Sequence, residues 1–237
     1  WRWVCSWARA LRRPSDLGFN DTRFALPPLI EKQTLIKSRS IATGMLFDLP
    51  AIGLKEQREE SRRTIEERCE AVADKTTGTD FALVWCNLND EGDLLEQIVP
   101  GSIQVAGKDS DEAKERYLTA FARGEIRVLI TKPKIGAWGL NFQHCNHVIS
   151  FPTHSYEQYY QGIRRCWRFG QVRPVDVHLI VAEGEDQIGR VIDRKAEDHA
   201  LMKRAMTSAM RRAMGQVSAR RVAYDPTYKG RLPTWMA

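Results

Sequence analysis

Residues 161–171 read QGIRRCWRFGQ. Arg165 and Arg168 stand three apart between Gln161 and Gln171, and on a helix residues at that spacing share a face. Two guanidiniums side by side repel each other unless an anion lies between or near them, and their forked geometry suits phosphate oxygens. The other reading is a solvated basic face, salt-bridged to acids such as Glu157. A second stretch, TKPKIGAWGLNFQHCNH over residues 131–147, follows an apolar run that ends at Thr131. It sets Gly136 and Gly139 around Trp138 and then gives Asn141. Glycine lets backbone amides come close to a ligand. Thr131, Lys132 and Lys134 add a hydroxyl and two ammonium groups suited to phosphates. A glycine-bearing loop after a strand is also the ordinary form of a turn.

Both stretches need a scaffold, and the hydrophobic pattern supplies one. Short apolar runs at residues 81–86, 101–107, 126–131, 147–151 and 175–182 read as strands. Helical patterns at 89–99, 109–124 and 155–169 lie between them, and a long helix runs from about 186 to 212. Strands alternating with helices at this interval predict an α/β fold, a parallel sheet with helices on both faces. In such sheets functional groups gather at the carboxyl ends of the strands. Upstream, residues 3–13 place Val4, Trp7, Ala8 and Leu11 on one helical face, ended by Pro14. FALPPLIEKQTLIKS, residues 24–38, reads as an edge strand. Residues 54–75 form a highly charged helix whose apolar stripe is Leu54, Ile65, Cys69 and Val72, bathed by solvent on its other sides. Residues 213–237 read as a basic tail.

The 237 residues carry a net charge of +6, which favours a polyanionic partner. Five well-separated cysteines, an odd number without C-x-x-C spacing, argue against a disulfide framework and fit a reducing, cytoplasmic compartment. No apolar run is long enough to cross a bilayer, so no membrane role is assigned. The opening WRWVCSWARALRRP is too charged for a signal peptide, and the sequence reads as a piece of a longer protein. The HCNH run at 144–147 fits no common zinc site, and no metal ligands are assigned. Asp90 and Glu91 fall where a helix begins, which the helix dipole already explains. No G-x-x-x-x-G-K-[ST] phosphate loop occurs.

QGIRRCWRFGQVRPVDVHLIV resembles motif VI of the Swi/Snf-type branch of superfamily two helicases, Q-x-x-x-R-x-x-R-x-G-Q before a strand. VLITKPKIGAWGLNFQHCNHVISF is similar to motif V of that branch, and FALVWCNLNDEGDLLEQIV to motif IV. VAGKDSDEAKERYLTAFARGE resembles the segment that follows motif IV. The order and spacing match over about residues 54–212, and the wording is closest to phage-encoded DEAD/DEAH-like members. WARALRRPSDLGF looks like the segment that joins the first lobe to the second, so residues 1–53 are read as linker. The sequence departs from the pattern in a longer motif V and in Trp167, where many relatives carry a histidine.

The resemblance implies a second, RecA-like lobe. ATP and Mg²⁺ would be bound mainly by a first lobe outside this sequence, and the second lobe would donate arginines to the γ-phosphate. By position these are Arg165 and Arg168, with Arg168 as the finger. Gln161 and Gln171 would orient them or bond the nucleotide, and Gly139 and Asn141 would couple the nucleotide cleft to a DNA groove. Thr131, Lys132, Lys134, Lys108 and Asn87 would touch the DNA backbone, double-stranded DNA being the family's usual track. The chain is not expected to hydrolyse ATP alone. The rival expectation is a non-catalytic nucleic-acid-binding or adaptor module derived from such a lobe. Tyr156, Tyr159 and Tyr160 are read as packing residues.

Overall fold

The structure, a computed structural model, describes residues 13–17, 19–37, 54–136, 139–153 and 155–216. The helix expected at 3–13 and the tail from 217 onward lie outside the described residues, as does Trp138. The chain divides into two units, residues 22–199 and residues 1–21 with 200–237.

The larger unit is built on a parallel sheet of six strands. They are β1 (Leu29–Ile36), β2 (Ala82–Trp85), β3 (Ser102–Val105), β4 (Val128–Thr131), β5 (His147–Ser150) and β6 (Val175–Ala182). Their spatial order is β1-β6-β5-β2-β4-β3, and every pairing is parallel. β1 is the expected edge strand, and it pairs with β6 along its whole length. The sheet therefore takes in residues that the sequence division assigns to the linker.

Helices α1 (Leu54–Arg63), α2 (Ile65–Thr76), α3 (Asn89–Ile98), α4 (Asp111–Ala122), α5 (Pro133–Gly136), α6 (Tyr156–Ile163) and α7 (Asp186–Gln216) complete the order. The central strands are apolar on both faces because helices cover both. Leu83, Trp85 and Leu129 pack with Leu118 and Phe121 of α4 and Ile163 of α6. Ala82, Val84 and Ile130 point the other way, against Cys69 and Val72 of α2 and Leu95 of α3. Cys69, Cys86, Cys145 and Cys166 are free buried thiols, and burial pushes Cys69 and Cys86 up to about 12.

The charged helix expected at 54–75 is two helices, broken at Thr64, and it is more deeply embedded than its composition suggests. Arg68 is 1% exposed, and its guanidinium meets the equally buried Glu91 of α3 at 2.8 Å. Arg68 also donates to Thr64 Oγ1 at 3.1 Å and lies over the Phe151 ring at 4.6 Å. Burial raises the pKa of a second carboxyl, Glu185, while Arg68 and a hydrogen bond from Ser61 oppose the rise. A charge is tolerated at such depth only when paired and hydrogen-bonded.

His147 and His178 face each other between β5 and β6, ring centroids 5.1 Å apart. Burial, His147, Lys75 and Lys32 together push His178 down to about 4, against the opposing pull of Asp176. Burial also lowers His147. A histidine depressed in the folded state is protonated more readily in the unfolded chain, whose value is about 6.5. Stability is therefore expected to fall as pH drops through the window from about 6.5 to about 4, and to level off below it. Thermal midpoints across that window test this, and His178→Asn is expected to flatten the slope.

In the smaller unit, Asp16 lies in a 3₁₀ turn at Pro14–Leu17 and accepts from Arg211 Nη2 of α7 at 2.7 Å. Ala209 and Met210 are buried beside Ala213.

Candidate nucleotide and nucleic-acid surfaces

α6 runs from the carboxyl end of β5 back toward the amino end of β6, and the arginines follow its last turn. The helix expected over 155–169 stops at Ile163. Residues 164–171 are a succession of tight turns, closed by Arg165 N to Gly162 O, Arg168 N to Cys166 O and Gln171 N to Arg168 O. Glycine ends the segment because Gly170 has φ +97°, a left-handed conformation that side chains resist. The two arginines thus share no helical face; the turns bring them together.

Their location also differs from the sequence expectation. Phe142 N donates to Arg165 O, and Asp176 N to Asn146 O, so residues 164–174 lie against the segment that enters β5. This is the amino-terminal edge of β5 and β6, about 13 Å in strand length from the carboxyl edge.

Arg165 Nε donates to Gln161 O at 3.1 Å, Nη2 to Gln161 Oε1 at 3.2 Å, and Nη1 to Leu140 O at 3.0 Å. Arg168 Nη1 donates to Asn141 Oδ1, and its buried Nε has no partner among the described residues. Every one of these acceptors is neutral. Among the described residues neither guanidinium has a carboxylate partner, and Glu157 is not one. The pKa of Arg165 is lowered, first by burial and next by Arg168. The pair is a concentration of positive charge that no carboxylate among the described residues compensates.

Gln171 is interior, and its hydrogen bonds suit the first of its two expected roles, orienting the arginine segment. Its Nε2 donates to Gln143 O at 2.9 Å and Cys145 O at 3.0 Å, while its Oε1 accepts from Val172 N and Arg173 N at 3.0 Å. It clamps the arginine turns to the segment holding Asn141. Gln143, which the sequence reading passed over, completes the clamp by donating to Phe169 O at 2.7 Å. Phe169 itself is exposed and stacks on Phe24 at 5.5 Å. Trp167 packs inward and donates to Pro27 O at 2.8 Å. Tyr159 donates to Glu31 Oε1 at 2.8 Å, and Tyr156 and Tyr160 cluster around His199.

The remaining candidates collect at the carboxyl edge. The connections leaving β2 and β5 diverge to opposite faces of the sheet, which makes a crevice between these neighbours. Asn87 spans it, Nδ2 donating to Pro152 O at 2.6 Å. Lys132 Nζ donates to Asn89 Oδ1 at 2.6 Å, and Lys108 lies 3.6 Å from Asp93. Asn89, Asp93, Gln104, Gly107 and Lys108 line a recess of about 310 Å³. Lys134 is exposed on α5. Thr131 is the correction here: its side chain is fully buried and donates to Val105 O at 2.9 Å, so its hydroxyl is not offered to a ligand.

Glu91 is the positioning residue that sequence reasoning missed. Its Oε2 accepts from Asn87 N and Leu88 N, both at 2.8 Å, and fixes the loop from beneath. The signal was present as an acid in the first turn of α3, but the charge of the helix dipole explained it without requiring burial. The segment from Thr131 to His147 joins the two regions, with Gly139 at φ +75° and Asn141 at its arginine end.

The helicase conserved C-terminal domain matches residues 63–170, a span that encloses every candidate residue except Gln171. This segment is a helicase C-terminal domain. The C-terminal domain of the DEAD-box protein Dbp5 superposes with a TM-score of 0.51, at 12% identity, over 73% of this chain and 86% of that one. The fold is therefore the RecA-like α/β fold of helicase C-terminal domains. The bifunctional helicase and thymine dioxygenase JBP2 of Leishmania tarentolae is 32% identical over 101 residues, 42% of this chain and 9% of its own length. YwqA of Bacillus subtilis (strain 168), whose name describes an ATP-dependent helicase/translocase, is 24% identical over 183 residues, 70% of this chain and 19% of its own length. The chain thus spans under a fifth of these relatives. No helix among the described residues is long and apolar enough to cross a membrane.

Proposed function

We propose that this helicase C-terminal domain is the second lobe of a Swi/Snf-type, DNA-dependent ATPase that translocates on double-stranded DNA. The observation that carries the reading is the arginine pair held, among the described residues, by neutral acceptors, Gln161, the Leu140 carbonyl and Asn141. Such a pair is preorganised for an anion that comes from outside. In this reading a first RecA-like lobe binds ATP and Mg²⁺, and Arg168 meets the γ-phosphate across the interface while Arg165 sets the turn. Charge develops on the transferring phosphoryl group, and a fixed guanidinium stabilises it without reorganisation. Lys132, Lys134, Lys108 and Asn87 grip the DNA backbone at the carboxyl edge. YwqA's name as a helicase/translocase supports this, and the phage-like wording of motifs V and VI points to a phage-encoded origin.

The test pairs the chain with a first lobe carrying a phosphate loop and measures ATP hydrolysis with and without duplex DNA. DNA-stimulated turnover by the pair, and none by the chain alone, is the expected result. No turnover by the pair would favour the non-catalytic adaptor role instead, and turnover indifferent to DNA would remove the DNA dependence. The lobe alone is expected to bind duplex DNA weakly and without sequence preference, with affinity falling linearly in log salt as counterions are released. Fluorescence anisotropy between about 50 and 200 mM salt measures the slope. A flat slope, or strong preference for one sequence, would remove the backbone-contact assignment.

A further inference from the structure

Trp85 ends β2 and is 2% exposed, yet its indole Nε1 has no hydrogen-bond partner among the described residues. Two glycines close on the ring from different elements. A Cβ on Gly162 of α6 would stand 2.9 Å from Nε1 and 3.1 Å from Cε2. A Cβ on Gly136 of α5 would stand 3.2 Å from Cζ3 and 3.3 Å from Cη2 of the same ring, and 2.9 Å from Thr131 Cγ2. Neither glycine has a positive φ, so both positions require the missing Cβ and not an unusual backbone. The pyrrole edge of one rigid ring therefore bears on α6 and the benzo edge on α5.

These two helices are the carriers of the two surfaces. α5 bears Lys134 and begins one residue after Lys132, both at the carboxyl edge. Gly162 follows Gln161, which holds Arg165 by two hydrogen bonds, and leads directly into the arginine turns. A displacement of α5 has no free space at the indole in which to dissipate, because close-packed interiors pass strain on. Leaving an N–H buried without an acceptor is costly, and native chains rarely keep such a donor without a use.

We propose that Trp85 is a positioning residue that couples the carboxyl-edge lysines to the arginine pair. Engagement of α5 by nucleic acid moves the indole, the indole moves α6, and its N–H gains an acceptor in the engaged arrangement. The inference rests on the ATPase reading above and adds to it the element through which one surface senses the other.

The experiment uses the chain paired with a first lobe. Trp85→Phe removes the N–H and shortens the ring, and Gly162→Ala pushes on the indole from the α6 side. In both, the ratio of DNA-stimulated to unstimulated hydrolysis is expected to fall about tenfold, the range typical of coupling between sites. Thermal midpoints distinguish this from unfolding. On the unsubstituted protein, the indole N–H resonance of Trp85 is expected to move downfield on addition of duplex DNA. A stimulation ratio retained within about twofold in Gly162→Ala, or a resonance that does not move, overturns the proposal. That readout is separate from the parent reading, which fails if Arg168→Ala retains stimulated turnover whatever Trp85 does.

Discussion

Arg168→Ala is expected to lower DNA-stimulated ATP hydrolysis by about a thousandfold or more when the lobe is paired with a first lobe, the range measured when an arginine finger is removed. ATP and DNA affinities should change little, because in the proposed assembly the first lobe binds the triphosphate and the carboxyl-edge residues meet the DNA backbone. Arg168 is the cleaner position to test. Arg165 also holds the Leu140 carbonyl and Gln161, so its loss disturbs the turn as well as the charge. Arg168 has Asn141 as its side-chain partner, and among the described residues its Nε has none. Arg168→Lys is expected to rescue poorly, since a point-charge ammonium cannot reproduce the fork that donates to Asn141 and to an incoming phosphate together. The measurement is kcat at saturating ATP and DNA. Turnover within a few-fold of the parent would remove the finger assignment.

The second large effect concerns the core. Arg68→Met is expected to destabilise the domain by about 3–5 kcal/mol, the cost of leaving a buried charge without its partner. Two buried carboxylates would lose their cation, Glu91 directly and Glu185 through the field of the guanidinium. For a chain of this length the thermal midpoint should fall on the order of 10 °C. The double variant Arg68→Met with Glu91→Gln separates charge from structure. Glutamine offers an oxygen to Asn87 N and Leu88 N, as Glu91 does, while removing the stranded charge. Recovery of most of the lost stability in the double variant is the expected result. A midpoint for Arg68→Met close to that of the parent would show that the pair is held at no energetic risk. Hydrogen exchange at Asn87 and Leu88 provides a local readout, because their amides lose protection only if the loop loosens.

These two cases mark where sequence reading reached and where it stopped. The strand-helix alternation was legible because short apolar runs and helical hydrophobic patterns are local, and runs such as FALVWC leave few alternatives. The arginine spacing was legible as a pair, but its conformation was not. Ile163 ends α6, and the next residues turn, because Gln171 and Gln143 draw the chain onto the carbonyls of residues 143, 145 and 169. Those acceptors are about 26 residues away in sequence, and no local propensity encodes them.

The same limit explains Thr131 and Arg68. A threonine after an apolar run and an arginine in a charged helix both read as surface groups. Thr131 is drawn inside by the Val105 carbonyl of a neighbouring strand, and Arg68 by a carboxylate on the next helix. By itself the sequence determined the types of element, their order and which charged groups were candidates for phosphate, because periodicity and residue chemistry are properties of short segments. Only the tertiary structure decided which candidates reach the surface and that the lysines and arginines stand at opposite edges of one sheet. Burial and hydrogen-bond pairing are settled between segments far apart in the chain, and they come into being only when the sheet is assembled.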